Sequence, residues 1–123
     1  MKTKKILYLD ATLVNFLLMK AAFKDLNVEL INLVDHDEIK EILKKEAFDL
    51  IVSNTYMIPG EEIIRNLRQG VYGDINKETL AIAYTVVYFF NEEEKCLNAG
   101  FNEYLLMPSP VGIIKEKIEK MLK

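Results

Sequence analysis

Glu94–Pro108 reads EKCLNAGFNEYLLMP. Its first half is helical in character and stops at Gly100. Glycine suits that place because it adopts the left-handed backbone that closes a helix C-terminus. Its second half, Glu103–Met107, is a strand, and Pro108 breaks it. A helix, a glycine stop, a strand and a proline thus follow one another within fifteen residues.

The same grammar extends in both directions. Toward the C-terminus, Ser109-Pro110 opens a last helix, with Ser109 as N-cap and Pro110 at the first helical position. Val111, Ile114, Ile118 and Met121 line one face of it. Toward the N-terminus, Glu92–Ala99 is a helix and Leu80–Thr85 a strand. Val71–Thr79 is a polar loop with a turn at Tyr72-Gly73, and Glu61–Gln69 is a helix that stops at Gly70. Further back come a strand at Leu50–Ser53, a helix at His36–Glu46, a strand at Val28–Leu33, a helix at Leu13–Leu26 with Thr12 able to cap it, and a strand at Lys5–Leu9. Five strand–helix repeats predict an α/β fold with a parallel sheet and helices on both faces. The near-continuous apolar strands agree, since such a sheet is covered on both sides.

The chain has 123 residues, half of them apolar, which suits a single domain over residues 1–123. The formal net charge of −3 supplies no basic field for nucleic acid. A lone cysteine, Cys96, precludes an internal disulfide and suits a reducing compartment. No apolar run reaches the roughly 20 residues of a membrane helix. Asp10, Asn15 and Lys20 interrupt the N-terminal apolar run too early for a signal peptide. A cytoplasmic location, with no membrane partner, is expected.

In doubly wound sheets the binding crevice lies beyond the carboxyl ends of the strands. That selects Asp10, Ala11, Ser53, Asn54, Thr85, Val86, Met107 and Pro108. At these tips the chain resembles a response-regulator receiver domain of two-component signalling, over nearly its whole length. Glu94–Pro108 carries the resemblance most specifically, being similar to the receiver segment EKCLEAGADDYLSKP. KKILYLD, FDLIVSN and IIRNLR support it. The resemblance implies a flavodoxin-like (βα)5 fold with strand order 2-1-3-4-5.

It also implies a phosphorylation site that this sequence does not complete. Receivers phosphorylate an aspartate at the third strand tip, hold Mg²⁺ with two further acidic residues, and contact the phosphoryl group with a Thr or Ser and a Lys. Here Asp10 matches the first acidic residue, Ala11 replaces the second, and Asn54 stands at the acceptor position. Thr85 matches the Thr/Ser, Val86 follows it in place of a small residue, and Met107 replaces the lysine. Tyr104 matches the switch aromatic of the fifth strand. An amide is a poor nucleophile toward phosphate. One carboxylate is a meagre ligand set for a hard cation. Methionine offers neither charge nor a donor. The implied reading is a degenerate receiver: not an enzyme, without a cofactor, with Mg²⁺ binding weak or absent. Ser53, the nearest alternative acceptor, falls one residue early and is expected to face away from the crevice.

Function then shifts to surfaces. Val86–Phe90 (VVYFF) continues the fourth strand's apolar character, and Tyr88, Phe89 and Phe90 are candidate anchors for a protein partner, a signalling or histidine kinase-related protein. In the family the partner face comprises the fourth strand and helix with the fifth strand. Each ring has an alternative place in the core. The first helix is apolar nearly all round, with Phe16 at a position usually basic in receivers. A partner subunit in a homodimer covers it, or its outer side tolerates Leu and Met. His36 reads as an exposed polar residue at a helix start, Cys96 as small and buried, and Glu92-Glu93-Glu94 as favourable charge at a helix N-terminus. Two other functional readings compete with an interaction module: a receiver phosphorylated at a non-standard residue, and a flavodoxin-like binder of a small ligand. For the latter, DATLVN offers only Thr12 to a phosphate.

Overall fold

The computed structural model describes residues 3–55, 58–85, 91–106 and 109–123. Ten elements alternate along them: β1 (Lys4–Leu9), α1 (Leu13–Phe23), β2 (Val28–Leu33), α2 (His36–Lys45), β3 (Leu50–Asn54), α3 (Gly60–Arg68), β4 (Ala81–Thr85), α4 (Glu92–Ala99), β5 (Glu103–Leu106) and α5 (Val111–Leu122). The five strands form one parallel sheet in the order β2-β1-β3-β4-β5. This is the α/β doubly wound, flavodoxin-like architecture expected from the strand–helix alternation.

Side chains alternate across each strand, and the two faces take different helices. Leu7, Leu9, Ile51, Ala81 and Ala83 pack against Ile39 and Leu43 of α2, Ile63, Ile64 and Leu67 of α3, and Cys96 of α4. Ile6, Tyr8, Leu50, Val52, Ile82 and Tyr84 pack against Met19, Ala22 and Phe23 of α1 and Ile114 and Ile118 of α5. Every residue of β3 and β4 is buried, as central strands covered on both faces require. The order reverses direction between β1 and β3, so Asp10, just after β1, and Asn54, the last residue of β3, stand at the switch point where a crevice opens.

Some boundaries differ from the sequence reading, each for a local reason. Helix α1 ends at Phe23, three residues before Leu26, because the backbone turns there to start β2 at Val28. Ser109 does not cap α5. Its hydroxyl donates to the Leu106 carbonyl at 2.7 Å, and Pro110 takes the N-cap position. Thr12 stands at the N-cap of α1 without a side-chain capping bond, whereas Asp35 caps α2 by accepting from the Glu38 N–H at 3.0 Å. Gly100 closes α4 with φ +120, as the sequence predicts.

The loop before β4 is less polar in place than in sequence. Tyr72 is buried, and so is Asn76, whose amide donates to the carbonyls of Leu43 and Glu46 and accepts from the Phe48 N–H. A buried amide with its bonds satisfied at both ends fixes this loop against the turn between α2 and β3. Among the described residues, no helix is long and apolar enough to cross a membrane.

Candidate functional site

The crevice is organised by one carboxylate. Asp10 is only 1% exposed, and its charge must therefore be met inside the protein. The Thr12 N–H donates to Oδ1 at 3.0 Å and Asn54 Nδ2 donates to the same oxygen at 3.2 Å. On the other oxygen, Tyr8 Oη donates at 2.9 Å and Asn15 Nδ2 at 3.1 Å, and Tyr84 Oη donates as well. Five donors from β1, α1, the turn between them, β3 and β4 thus converge on Asp10. The two tyrosine hydroxyls also touch each other at 2.6 Å.

Strand geometry explains the convergence. Tyr8 precedes Asp10 by two residues, so both lie on the same side of β1. Tyr84 sits on β4 opposite Asn54 of β3, and Tyr8 sits on β1 opposite Val52. The two rings therefore flank β3, parallel to within 7° and with centroids 6.1 Å apart. Phe16 of α1 stacks on the other side of Tyr8 at 6.2 Å, and Lys20 Nζ lies 5.4 Å from the Phe16 ring. An aromatic row thus underlies the carboxylate. Below β1, Asn32 Nδ2 donates to the carbonyls of Tyr8 and Asp10 at 2.9 and 3.0 Å, fixing the backbone where the strand ends.

The ionisation states follow. Burial alone would raise the Asp10 pKa, but the bonds from Tyr84, Thr12, Asn15 and Tyr8 outweigh it and hold the carboxyl below its ordinary value. Burial raises both tyrosines above theirs, helped by the neighbouring Asp10 charge. The stable arrangement is a buried carboxylate held by neutral phenols.

Of the other positions selected from sequence, Asn54 and Thr85 are fully buried and Ala11 is exposed. Tyr104 is buried among the residues that face α2, α3 and α4. Val86, Tyr88, Phe89, Phe90 and Met107 lie outside the described residues. Ser53 is fully buried and turned from the crevice, as side-chain alternation predicts. Its hydroxyl donates to the Asn54 carbonyl at 3.2 Å, and a Cβ at Gly60 would come within 2.4 Å of it. Glycine at 60 is what allows α3 to approach β3 this closely.

Helix α1 buries Met19, Ala22 and Phe23 as an amphipathic helix should, but its first turns depart from that pattern. Its polar Asn15 is buried, because Asp10 needs a donor, while Leu13, Val14 and Leu17 are more than half exposed. Phe16, expected as a partner contact, packs partly buried against Tyr8. Cys96 is fully buried, and burial with the nearby Glu92 pushes its thiol up to about 12, so it is inert. His36 is half-buried rather than exposed.

Tyr8, Tyr84, Asn15 and Asn32 were not among the residues singled out from sequence. The available signal was a tyrosine two places before Asp10, a second tyrosine beside Thr85, and a lone asparagine in an apolar helix. A further link joins the tip of β3 to α4. The Thr55 hydroxyl donates to Glu92 Oε1 at 3.0 Å, and the Thr55 N–H bonds the Tyr84 carbonyl at 2.9 Å.

The face formed by α4, β5 and α5 is similarly braced. Arg68 donates to the carbonyls of Gly100 and Lys77 and to the Asn102 side chain, anchoring the turn into β5. Lys117 of α5 bonds Glu103 at 3.3 Å and the Tyr104 carbonyl at 3.1 Å. Leu97, Leu106 and Ile113 stand exposed on these elements.

No protein-family model and no curated protein matches the sequence. The structure does have close likenesses. It is similar to a response regulator from Thermotoga maritima, with TM-score 0.83, 19% identity and 98% of each chain covered. It is similar to the receiver domain of a sensor histidine kinase from Pseudomonas aeruginosa, which has a magnesium ion coordinated in its active-site cleft; the TM-score is 0.81, with 20% identity and 98% of each chain covered. The chemotaxis response regulator CheY4 of Vibrio cholerae matches with TM-score 0.82 and 18% identity, over 98% of this chain and all of that one. The fold is that of response-regulator receiver domains.

Proposed function

We propose that this chain is a receiver-like protein-interaction module of two-component signalling that is not switched by aspartyl phosphorylation. One observation carries the reading. The crevice places an amide, Asn54, at the end of β3, and that amide donates a hydrogen bond to Asp10 instead of offering a nucleophilic oxygen to a phosphoryl donor. Asp10 is itself buried and occupied by protein donors. The nearest hydroxyl on the strand, Ser53, is buried and faces α3, which argues against a displaced acceptor.

On this reading the module works through its surface. The α4–β5–α5 face presents Leu97, Leu106 and Ile113 among charges of both signs, Glu103, Glu116, Lys117 and Lys120. Such a mixture suits a protein partner better than nucleic acid, whose binding calls for a one-signed basic field. The exposed Leu13, Val14 and Leu17 of α1 supply a second apolar area, available to a second copy of the chain.

The test is chemical. The protein is incubated with acetyl phosphate and Mg²⁺, and its intact mass is recorded before quenching and after. The expected result is an unchanged mass. A gain of one phosphoryl group, lost on Ser53→Ala or Asp10→Asn substitution, overturns the proposal.

A further inference from the structure

Magnesium is the cation the fold family implies for this crevice, and the donor set at Asp10 does not fit it. A hard divalent cation takes oxygen ligands, prefers anionic ones and keeps several of its waters, so it needs carboxylate lone pairs facing solvent. Asp10 is 1% exposed, and both its oxygens already accept bonds from protein groups. The position beside it is Ala11, which has no ligand to offer. Asn54 turns its Nδ2, the end that cannot bind a cation, toward Asp10. Among the described residues, no group of three or more His, Cys, Asp or Glu side chains is placed to hold a metal.

The lack of carboxylates at Ala11 and Asn54 removes ligands but does not by itself produce this arrangement. The remaining carboxylate is engaged from beneath, on the α1 and α5 side of the sheet, by two phenols that reach it from strands on either side of β3. We infer that the Tyr8–Tyr84 hydroxyl pair does from inside the protein what a cation would do from solvent: it satisfies the Asp10 charge, ties β1 to β4 across β3, and excludes divalent metal from the crevice. The inference deepens the reading of the site as a receiver crevice without phosphate chemistry, and rests on it. The tyrosines are positioning residues. They act on metal access through Asp10, and Phe16 and the parallel ring contact hold them in register.

If the tyrosines exclude the cation, restoring the missing carboxylates should not by itself restore binding. Ala11→Asp/Asn54→Asp is compared with the same pair carrying Tyr8→Phe/Tyr84→Phe. Binding of Mn²⁺ is read from loss of the free-ion electron paramagnetic resonance signal. The quadruple variant is expected to bind Mn²⁺ at least about ten-fold more tightly than the double variant, a difference of one factor of ten in an equilibrium constant. Equal affinity overturns the tyrosine role. If circular dichroism shows the quadruple variant unfolded, Tyr84→Phe alone in the double background carries the comparison, with the same expected direction.

A second measurement needs no substitution. In proton NMR spectra of the unaltered protein, the Tyr8 and Tyr84 hydroxyls should give slowly exchanging resonances that do not move when Mg²⁺ is added. Missing resonances, or resonances displaced by Mg²⁺, contradict the inference. Phosphoryl uptake by the unaltered protein would instead sink the underlying reading of the crevice, so the two failures are distinguishable.

Discussion

Replacing Asp10 with asparagine reverses sign between two kinds of crevice. Where carboxylates crowd together without a cation, removing one relieves repulsion and stabilises the fold. Here, among the described residues, five donors converge on Asp10 and none of the groups bonded to it is a carboxylate. Hydrogen bonds to a charged group contribute about 1.5–3 kcal/mol each, against about 0.5–1.5 for neutral ones. The amide of Asp10→Asn also puts an NH₂ where an oxygen stood. Facing Thr12 and Asn54, it would confront the Thr12 backbone N–H. Facing the tyrosines, it could donate to a hydroxyl, but it would confront Asn15 Nδ2. One buried donor left without an acceptor costs about 1–3 kcal/mol. Relief of burying a charge offsets part of this, but the depressed Asp10 pKa shows that the donors outweigh burial. A net loss of about 2–4 kcal/mol is expected. For a domain of this size that lowers Tm by roughly 10 °C. Urea denaturation followed by circular dichroism, with a parallel thermal scan, measures it. An Asp10→Asn protein as stable as the parent, or more stable, refutes the argument.

The Asp10 pKa is lowered in the fold, so its contribution is present above the unfolded value of about 4 and is lost as pH falls through the folded value. The Tyr8 and Tyr84 pKa values are raised, so their contribution is complete below about pH 10 and is lost as pH rises beyond it. Urea midpoints should therefore be nearly flat from about pH 5 to 9 and fall on both sides, and ultraviolet difference spectra should show two tyrosines that ionise only on unfolding. Gly100→Ala should destabilise by about 1–3 kcal/mol, because φ is +120 there and the new Cβ would lie 2.6 Å from Arg68 Cγ. A urea midpoint unchanged by Gly100→Ala would show that the helix end adapts.

The fold was legible because its signals were local and repeated. Gly100 after an eight-residue helix, all-apolar strand cores such as Leu50–Val52, and the alternation itself require only near neighbours. The residues on which the proposal of a crevice without phosphate chemistry starts, Ala11 and Asn54, can also be read locally, since each is a single residue at a strand tip. The cage around Asp10 cannot. Tyr8 and Tyr84 are 76 residues apart, and in sequence each reads as one more buried strand aromatic. Only the sheet order, which sets β1 and β4 on either side of β3, brings their hydroxyls together. Asn15 carries no clearer local signal, because the buried carboxylate that draws it inward is fixed by the sheet and not by the helix's own pattern. Ser109 shows the reverse failure, since a good capping residue lies one place before the N-cap, Pro110, and its hydroxyl donates to the Leu106 carbonyl.

A crevice satisfied from within gains no stability from a cation. Paired thermal scans in EDTA and in millimolar Mg²⁺ read this out on the unaltered protein. Superimposable transitions are expected. A rise of several degrees on adding Mg²⁺, saturating with concentration as specific binding to the folded state requires, would contradict this.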